Sequence, residues 1–309
     1  DKLLADERHG ASPGVRSSWG ADAITDKEYF FTLRQSGINL RRGVFDEAML
    51  QAAESAGVTL LFSTRLTRLR RTPGEYRAML RGPGGSQAIN ARMVIDASGR
   101  RATAGRQLGS VRKRFDRMVG LVARIEGHAP PADGGRVRIE SMEDGWWYGV
   151  QLQCGDRLLT YMTDADVLKR HPRGAQALWQ ERLAASNLMT PLAGDRRDPP
   201  ALDIFDASSQ YLPPPKDRFF LAVGDAAMAF DPISSWGITK ALCDGYHGAR
   251  AMEREFLGET GAIADYATRR LGEFDKYMTK RTTVYEAECR WEHSGFWRSR
   301  HRAHENRAS

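Results

Sequence analysis

The sequence predicts an α/β fold into which an antiparallel sheet is inserted and which ends in helices. A helix and short apolar strands alternate between residues 45 and 96, which is typical of α/β domains. From Met118 to Asp164 many apolar residues recur at every second position, as in a half-buried antiparallel sheet. From Ala264 to Arg290 the apolar spacing is that of a long amphipathic helix. The chain has 309 residues, 41% of them hydrophobic, which is enough for a large core.

Local signals place the individual elements. Gly57 stops the first predicted helix, which begins at Phe45. A buried strand is predicted for the apolar run that follows it, and a hairpin is predicted around Pro73-Gly74. The predicted elements outside the antiparallel sheet are a helix at 45–56, strands at 58–62, 67–71, 76–81 and 91–96, and helices at 175–185, 239–255 and 264–290. The segment 204–211 starts the return to the first domain.

Composition and charge exclude several classes of protein. The formal charge is +7, but the arginines are scattered among acidic residues along the chain, so we do not expect a nucleic-acid-binding protein. No apolar run approaches the length of a membrane span, and no signal peptide is recognisable. The cysteines have no metal-ligand spacing and the histidines no metal-binding pattern. We therefore expect a cytoplasmic protein with reduced thiols, no metal and no membrane association.

The segment from Phe219 to Ile238 carries the clearest functional pattern. A short apolar strand ends in Gly224-Asp225, small residues and an Asp-Pro turn at Pro232 follow, and Gly237 opens the next helix. A strand that ends in a carboxylate and a helix N-terminus that offers N–H groups would face the same crevice. Asp225 could accept hydrogen bonds from sugar-alcohol hydroxyls, or it could simply cap the helix.

With these features the chain resembles the superfamily of FAD-dependent monooxygenases and halogenases, which has the p-hydroxybenzoate-hydroxylase type of fold. The resemblance implies a three-layer FAD-binding domain interleaved with an antiparallel-sheet substrate domain. It implies that Gly224 and Asp225 contact the ribityl chain of FAD. It also implies that Pro232, in the Asp-Pro turn, belongs to the cofactor-binding residues, and that Gly237 and Ile238 approach the flavin ring with backbone N–H groups.

Three other segments resemble the nucleotide side of this site. The segment 40–46 resembles the one whose arginine reaches the cofactor pyrophosphate, and Arg42 is the better match, with Arg41 as the neighbouring alternative. Leu66 follows Arg65 where backbone groups meet the adenine in the family. The segment 94–100 resembles the motif D-A-[ST]-G-R. Asp96 and Gly99 would thus lie near the adenosine and pyrophosphate, although Asp96 could instead cap the end of its strand.

Within the superfamily the chain is most similar to tryptophan-halogenase-like proteins, and its C-terminal segment 285–297 resembles flavoproteins that mature protein-derived quinone cofactors. The strand 144–152 resembles the motif G-W-x-[WY] of the substrate domain. Aromatic and sulfur-containing side chains of this region either line an aromatic substrate pocket or pack as ordinary sheet residues. They are Trp146, Trp147, Tyr148, Tyr161 and Met162.

The resemblance implies an FAD-dependent monooxygenase that hydroxylates an electron-rich aromatic, such as a Trp or Tyr side chain of a protein or peptide, through a flavin C4a-hydroperoxide. Two alternatives remain, a flavin-dependent halogenase and a non-catalytic maturation or binding partner. The halogenase motif W-x-W-x-I-P is replaced here by Trp-Trp-Tyr-Gly-Val-Gln. A separate flavin reductase is a possible partner. Neither the catalytic residues nor the substrate can be named from the sequence.

The family resemblance also implies a division of the chain. The nucleotide-binding motif G-x-G-x-x-G is absent from these 309 residues, so we expect the first βαβ unit of the FAD-binding domain to be missing from this polypeptide. We expect such a polypeptide to bind FAD poorly. The predicted parts are the first segment of the FAD-binding domain (1–105), the substrate domain (106–205), the return segment of the FAD-binding domain (206–256) and a C-terminal helical region (257–309).

Overall fold

The computed structural model describes residues 4, 6, 8–29, 37–194, 200–215 and 217–301. Its contacts divide the chain into two compact units. Unit 1 contains Asp1–Thr59, Met118–Asp206 and Thr282–Ser309, and unit 2 contains Leu60–Arg117 and Ala207–Arg281. This division groups the first 59 residues with the antiparallel sheet rather than with the predicted FAD-binding segments. The predicted boundaries concern functional domains and stay a prediction.

The secondary structure of the described residues is mixed α/β, as the sequence predicts. The strands are β1 (Gly10–Ser12), β2 (Gly14–Ser18), β3 (Thr25–Glu28), β4 (Gly37–Asn39), β5 (Arg65–Thr72), β6 (Glu75–Gly82), β7 (Gly85–Ala91), β8 (Val94–Asp96), β9 (Lys113–Arg114), β10 (Met118–Ile125), β11 (Val137–Met142), β12 (Gly145–Gln151), β13 (Arg157–Asp164), β14 (Leu202–Asp206), β15 (Gln210–Tyr211), β16 (Phe220–Ala222) and β17 (Met228–Ala229). The helices are α1 (Arg42–Ser55), α2 (Thr103–Gln107), α3 (Ala165–Arg170), α4 (Gly174–Ala184), α5 (Thr190–Ala193), α6 (Gly237–Phe256), α7 (Ala262–Glu286) and α8 (Gly295–His301).

Unit 1 is organised around a seven-stranded sheet with the order β14-β10-β13-β12-β11-β2-β3. Its neighbouring strands are antiparallel except β11 and β2, which are parallel. Side chains alternate between the two faces of such a sheet. One face packs against Leu178 and Trp179 of α4 and against Leu192 of α5, and this layer forms one of the hydrophobic cores. The predicted antiparallel sheet is therefore confirmed, and β2 and β3 extend it.

Unit 2 contains the short parallel pair β8 and β16, the antiparallel sheet β5-β6-β7 and the small sheet β17-β15-β9. Helix α6 packs closely on β16. A Cβ atom at Gly248 of α6 would come within 2.8 Å of Val223 Cγ1 and 3.2 Å of Leu221 Cδ1. A residue with a side chain would force the helix away from the strand, so glycine allows the close approach.

Most predicted elements are present close to their expected bounds. These include α1, the hairpin of β5 and β6, α4, α6 and α7. The buried strand predicted for residues 58–62 is wrong. This segment forms no strand, and Val58, Leu61 and Phe62 are exposed, Phe62 at 64%. A strand needs a neighbour for its backbone hydrogen bonds, and no described strand pairs with this run.

No helix in the described ranges is both long and apolar enough to cross a membrane. In the same part of the chain, no group of three or more His, Cys, Asp and Glu residues could hold a metal ion.

Candidate flavin site

Two of the predicted motifs meet at one edge of the parallel strand pair in unit 2. In the register of β8 and β16, Ala222 lies opposite Asp96. The N–H of Val223 donates to the carbonyl oxygen of Asp96 at 3.0 Å. Because the strands are parallel, both end at the same edge, where α/β proteins place their ligands. The segments Asp96–Arg100 and Gly224–Asp225 are therefore adjacent.

The carboxylate of Asp96 is fully engaged by its own loop. One oxygen accepts from the N–H and the hydroxyl of Ser98, at 2.9 and 2.5 Å, and the other accepts from the N–H of Gly105 at 2.9 Å. The side chain is buried. These are the contacts of a strand-end cap that ties β8 to α2. Gly99, in the same loop, has a φ of +64°, and a Cβ atom there would meet no neighbour within 4 Å. The role of both residues towards a nucleotide stays a prediction.

The carboxylate of Asp225 has a different environment. It lies just after β16, in a 3-10 turn at Gly224–Ala226, and its side chain is 37% exposed. Its two oxygens face Lys240 Nζ at 3.4 Å and Arg100 Nε at 3.7 Å. Both distances exceed those of a charge-assisted hydrogen bond, about 2.7–2.9 Å. The oxygens of Asp225 therefore keep capacity to accept hydrogen bonds from a ligand.

A buried charge cluster behind Asp225 was not predicted from the sequence. Lys240 is almost completely buried, donates from Nζ to the carbonyl of Met228 at 2.7 Å, and lies 3.8 Å from Asp244. Asp244 accepts a hydrogen bond from the N–H of Gly224 at 3.0 Å and another from the guanidinium of Arg270. Burial lowers the pKa of the Lys240 ammonium, although the nearby carboxylates act in the opposite direction. The i,i+4 spacing of Lys240 and Asp244 is visible in the sequence, but it is also common on solvent-facing helices.

The turn before α6 is held firmly. Asp231 accepts from the N–H of Ile233 at 3.0 Å, which positions the 3-10 turn that begins at Pro232. Its other oxygen accepts from Nε of the buried Arg281 at 3.0 Å. The N–H of Asp231 donates to the hydroxyl of Tyr277 at 2.7 Å. These contacts fix where α6 begins.

The N-terminus of α6 offers backbone donors in open space. Gly237 is the first residue of the helix, and Trp236 at the N-cap supplies no capping hydrogen bond from its side chain. A Cβ atom at Gly237 would meet no heavy atom within 4 Å. Gly237 is exposed and Ile238 is partly buried. The first N–H groups of a helix have no partner inside the helix, so here they are accessible to an electron-rich group.

The two remaining cofactor candidates have other surroundings. Arg42 belongs to unit 1, opens α1, and pairs with Asp46 at 3.0 Å while its side chain is 62% exposed. Arg41, the alternative to it, stands at the N-cap of the same helix. Leu66 lies in β5 of unit 2 and is packed against the hydrophobic core. Leu66 forms no described contact with the edge that carries Asp225.

The five pocket candidates of unit 1 do not share one face of the sheet. Trp147 and Tyr161 are direct neighbours across β12 and β13, and both pack in the core layer beneath α4, where Trp147 contacts Trp179. The Tyr161 hydroxyl donates to Asp144, and burial raises the pKa of this phenol well above its ordinary value. These two residues therefore have the contacts of ordinary sheet packing.

Trp146, Met162 and the partly buried Tyr148 occupy the opposite face. Trp146 donates from Nε1 to the hydroxyl of Tyr285 at 3.0 Å, and its ring lies edge-on to Trp19 with centroids 6.2 Å apart. Trp146 is thus enclosed by aromatic side chains from the two ends of the chain.

No protein-family model matches the chain, but two known proteins are related to it in sequence. The chain is 29% identical over 290 residues to a putative FAD-dependent oxidoreductase, LodB, of Marinomonas mediterranea, covering 93% of this chain and 78% of LodB. It is 25% identical over 327 residues to tryptophan 2-halogenase of Chondromyces crocatus, covering 97% of this chain and 60% of the halogenase.

Solved structures with the same fold include flavin-dependent halogenases. CmlS, a flavin-dependent halogenase, matches with a TM-score of 0.85 at 22% identity, over 97% of this chain and 57% of CmlS. The peptidyl tryptophan dihydroxylase QhpG, which is essential for the biogenesis of a tryptophylquinone cofactor, matches with a TM-score of 0.79 at 22% identity, over 97% of this chain and 66% of QhpG. The chain thus spans little more than half of CmlS. The chain is thus similar in sequence to a putative FAD-dependent oxidoreductase and to a tryptophan halogenase, and it shares the fold of a flavin-dependent halogenase.

Proposed function

We propose that the protein is an FAD-dependent oxidoreductase and that the edge formed by Asp225 and the start of α6 holds the ribityl chain and the ring of the flavin. One observation carries the proposal. Asp225 is a partly exposed carboxylate with only long ion pairs, and the adjoining helix N-terminus is uncapped and open at Gly237. Of the two sequence relatives described above, the one with the higher identity, 29%, is a putative FAD-dependent oxidoreductase.

The residues present fit this cofactor chemically. Asp225 can accept hydrogen bonds from the ribityl hydroxyls, and Gly224, at φ +58°, keeps the backbone close to Ala241 of α6. The N–H groups of Gly237 and Ile238 can stabilise negative charge on the ring. When bound, the flavin supplies the redox chemistry, and the protein supplies orientation and electrostatics. Lys240 and Arg100 lie 3.4 and 3.7 Å from the two carboxylate oxygens of Asp225.

The finer proposal is a monooxygenase that hydroxylates an electron-rich aromatic, with a Trp or Tyr side chain of a protein or peptide as the favoured substrate. Its support is the shared fold with a peptidyl tryptophan dihydroxylase and the absence of the Ile-Pro pair of the halogenase motif after Trp146-Trp147. The reducing equivalents would come either from NAD(P)H directly or from a separate flavin reductase.

A halogenase is the second candidate, favoured by the relationship to a tryptophan 2-halogenase. The third candidate is a non-catalytic binding partner that has kept the fold of a flavoprotein. The three functions differ in what they do to an aromatic substrate. A monooxygenase adds oxygen, a halogenase replaces hydrogen with chlorine or bromine in a halide-dependent reaction, and a binding partner leaves the substrate unchanged.

The test uses the full-length protein with FAD, a flavin reductase and a tryptophan-containing peptide. We expect a flavin absorbance spectrum after reconstitution and a product heavier by one or more oxygen atoms, with or without halide. Asp225→Asn should weaken FAD binding, whereas Asp203→Asn, which changes an exposed carboxylate of β14, should not. A protein that binds no FAD would refute the oxidoreductase proposal. A halogenated product would refute only the choice of hydroxylation.

A further inference from the structure

The three-stranded sheet of unit 2 brings together arginines that are scattered in the sequence. Along β5 and β6, buried residues such as Leu69, Tyr76 and Ala78 point to the core. The opposite face carries five exposed arginines, which we call the arginine face. They are Arg65, Arg68, Arg70, Arg77 and Arg81. A register shift between Leu66 and Arg68 adds one residue to β5, and this bulge puts Arg65, Arg68 and Arg70 on one face.

The arginines oppose each other directly across the two strands. Arg65 pairs in register with Arg81, and Arg70 pairs with Arg77. Residues opposite each other in an antiparallel pair lie about 5 Å apart at Cβ, and like charges there are destabilising. The protein therefore carries two repulsive pairs that contribute nothing favourable to its own fold.

Nothing described in the chain neutralises this charge. Within the described residues, none of the five arginines forms an ion pair or a side-chain hydrogen bond. By contrast, Arg71 in the same strand pairs with Asp217 at 3.2 Å. Glu75 is the one acidic residue within β5, β6 and β7. Uncompensated arginines at this density indicate that the neutralising charge comes from another molecule.

The shape and chemistry of the surface favour a protein over a nucleic acid. The third strand, β7, adds the small exposed residues Ser86, Ala88 and Asn90 next to the arginines. The surface extends for about 14 Å along the strands. It presents no aromatic side chain on which a base could stack. Guanidinium groups match carboxylates with paired hydrogen bonds.

We propose that the arginine face is the docking surface for an acidic protein partner that presents a row of Asp or Glu side chains. The surface lies within one sheet of unit 2, and its action does not depend on the residues assigned above to the flavin. Binding by this surface should weaken as salt is added, because exposed charges are screened within about 10 Å at 0.1 M ionic strength.

The experiment measures binding of the full-length protein to three fluorescent probes, namely poly-L-glutamate, single-stranded DNA and double-stranded DNA, by anisotropy at low and moderate salt. The double variant Arg70→Ser/Arg77→Ser removes one opposed pair. Its matched control is Arg250→Ser/Arg269→Ser, which removes the same charge from exposed positions on α6 and α7. We expect the first variant to bind poly-L-glutamate about fivefold or more weakly than the control.

Two results would overturn the proposal. One is equal weakening by the two double variants, which would mean that overall charge and not this surface attracts the probe. The other is tighter binding of either DNA than of poly-L-glutamate, which would make the surface a nucleic-acid site. Loss of the fold cannot imitate the expected result. Removing a pair of like charges should leave the unfolding midpoint of the Arg70→Ser/Arg77→Ser variant equal to or above that of the wild type, and this midpoint is measured in parallel.

Discussion

Replacement of Gly237 by alanine separates the effect of a residue on the fold from its effect on flavin binding. A Cβ atom at this position would meet no heavy atom within 4 Å, and the same holds for Gly245, further along α6. Neither residue has a positive φ. Alanine is favoured over glycine in helices, so each substitution should stabilise the apo protein by about 0.4–1 kcal/mol, with the smaller gain at Gly237 in the first turn.

The two variants should differ in flavin affinity. If the ring of the flavin lies against the backbone of Gly237, a methyl group there separates the ring from the N–H donors. We expect the dissociation constant for FAD to rise about tenfold in Gly237→Ala, which corresponds to about 1.4 kcal/mol. Gly245 lies about two turns further along the helix, so Gly245→Ala should bind FAD as the wild type does.

The assay is a titration of FAD fluorescence with the full-length protein, combined with urea unfolding in the absence of FAD. Equal FAD affinity of the two variants would refute the placement of the ring at the start of α6. A loss of stability in apo Gly237→Ala would contradict the open environment of that residue. The two outcomes are independent, so each part of the reasoning can fail separately.

Three further predictions concern the stability of the two units, each measured by urea unfolding. Burial lowers the pKa of Lys240, so between that lowered pKa and the ordinary lysine value the unfolded chain binds more protons than the folded one. The free energy of unfolding should therefore rise with pH across this window. Lys240→Met should remove that rise, and a variant with the same pH profile as the wild type would contradict the prediction. Asp96→Ala leaves the buried donors of its loop without their acceptor and should cost about 1–3 kcal/mol; no loss would mean that the loop is held by other contacts. Gly149→Ala places a Cβ atom 2.4 Å from Met189 Sδ and should cost about 1–3 kcal/mol by overpacking, unless Met189 can move aside without loss of stability.

Local patterns predicted most of the fold because they reflect local physics. The apolar spacing of α7, the Pro-Gly turn between β5 and β6 and the alternation in β10 depend on neighbours in sequence. The strand predicted for residues 58–62 is wrong because an apolar run forms a strand only where another strand pairs with it. The residues of the run do not show whether such a partner strand exists.

The candidate site was predictable to a similar extent. The strand end at Asp225 and the helix start at Gly237 are sequence patterns, so both could be named in advance. Lys240 and Asp244 could not, because their meaning depends on tertiary packing that places them behind Asp225. The arginine face was missed for a similar reason. Five arginines that look scattered between residues 65 and 81 share a face only when the hairpin register and the bulge after Leu66 are known.

Asp96 and Asp225 end neighbouring parallel strands, and the difference between them argues for a ligand at the second. Three donors from its own loop satisfy Asp96, which is what stability of the fold requires. Asp225 has only two long ion pairs, and one of them comes from Lys240, whose burial carries a desolvation cost. Stability alone would favour an apolar residue in place of this lysine. A costly buried lysine beside a loosely held carboxylate therefore favours a ligand at Asp225, because perturbed groups such as Lys240 are typical of functional sites.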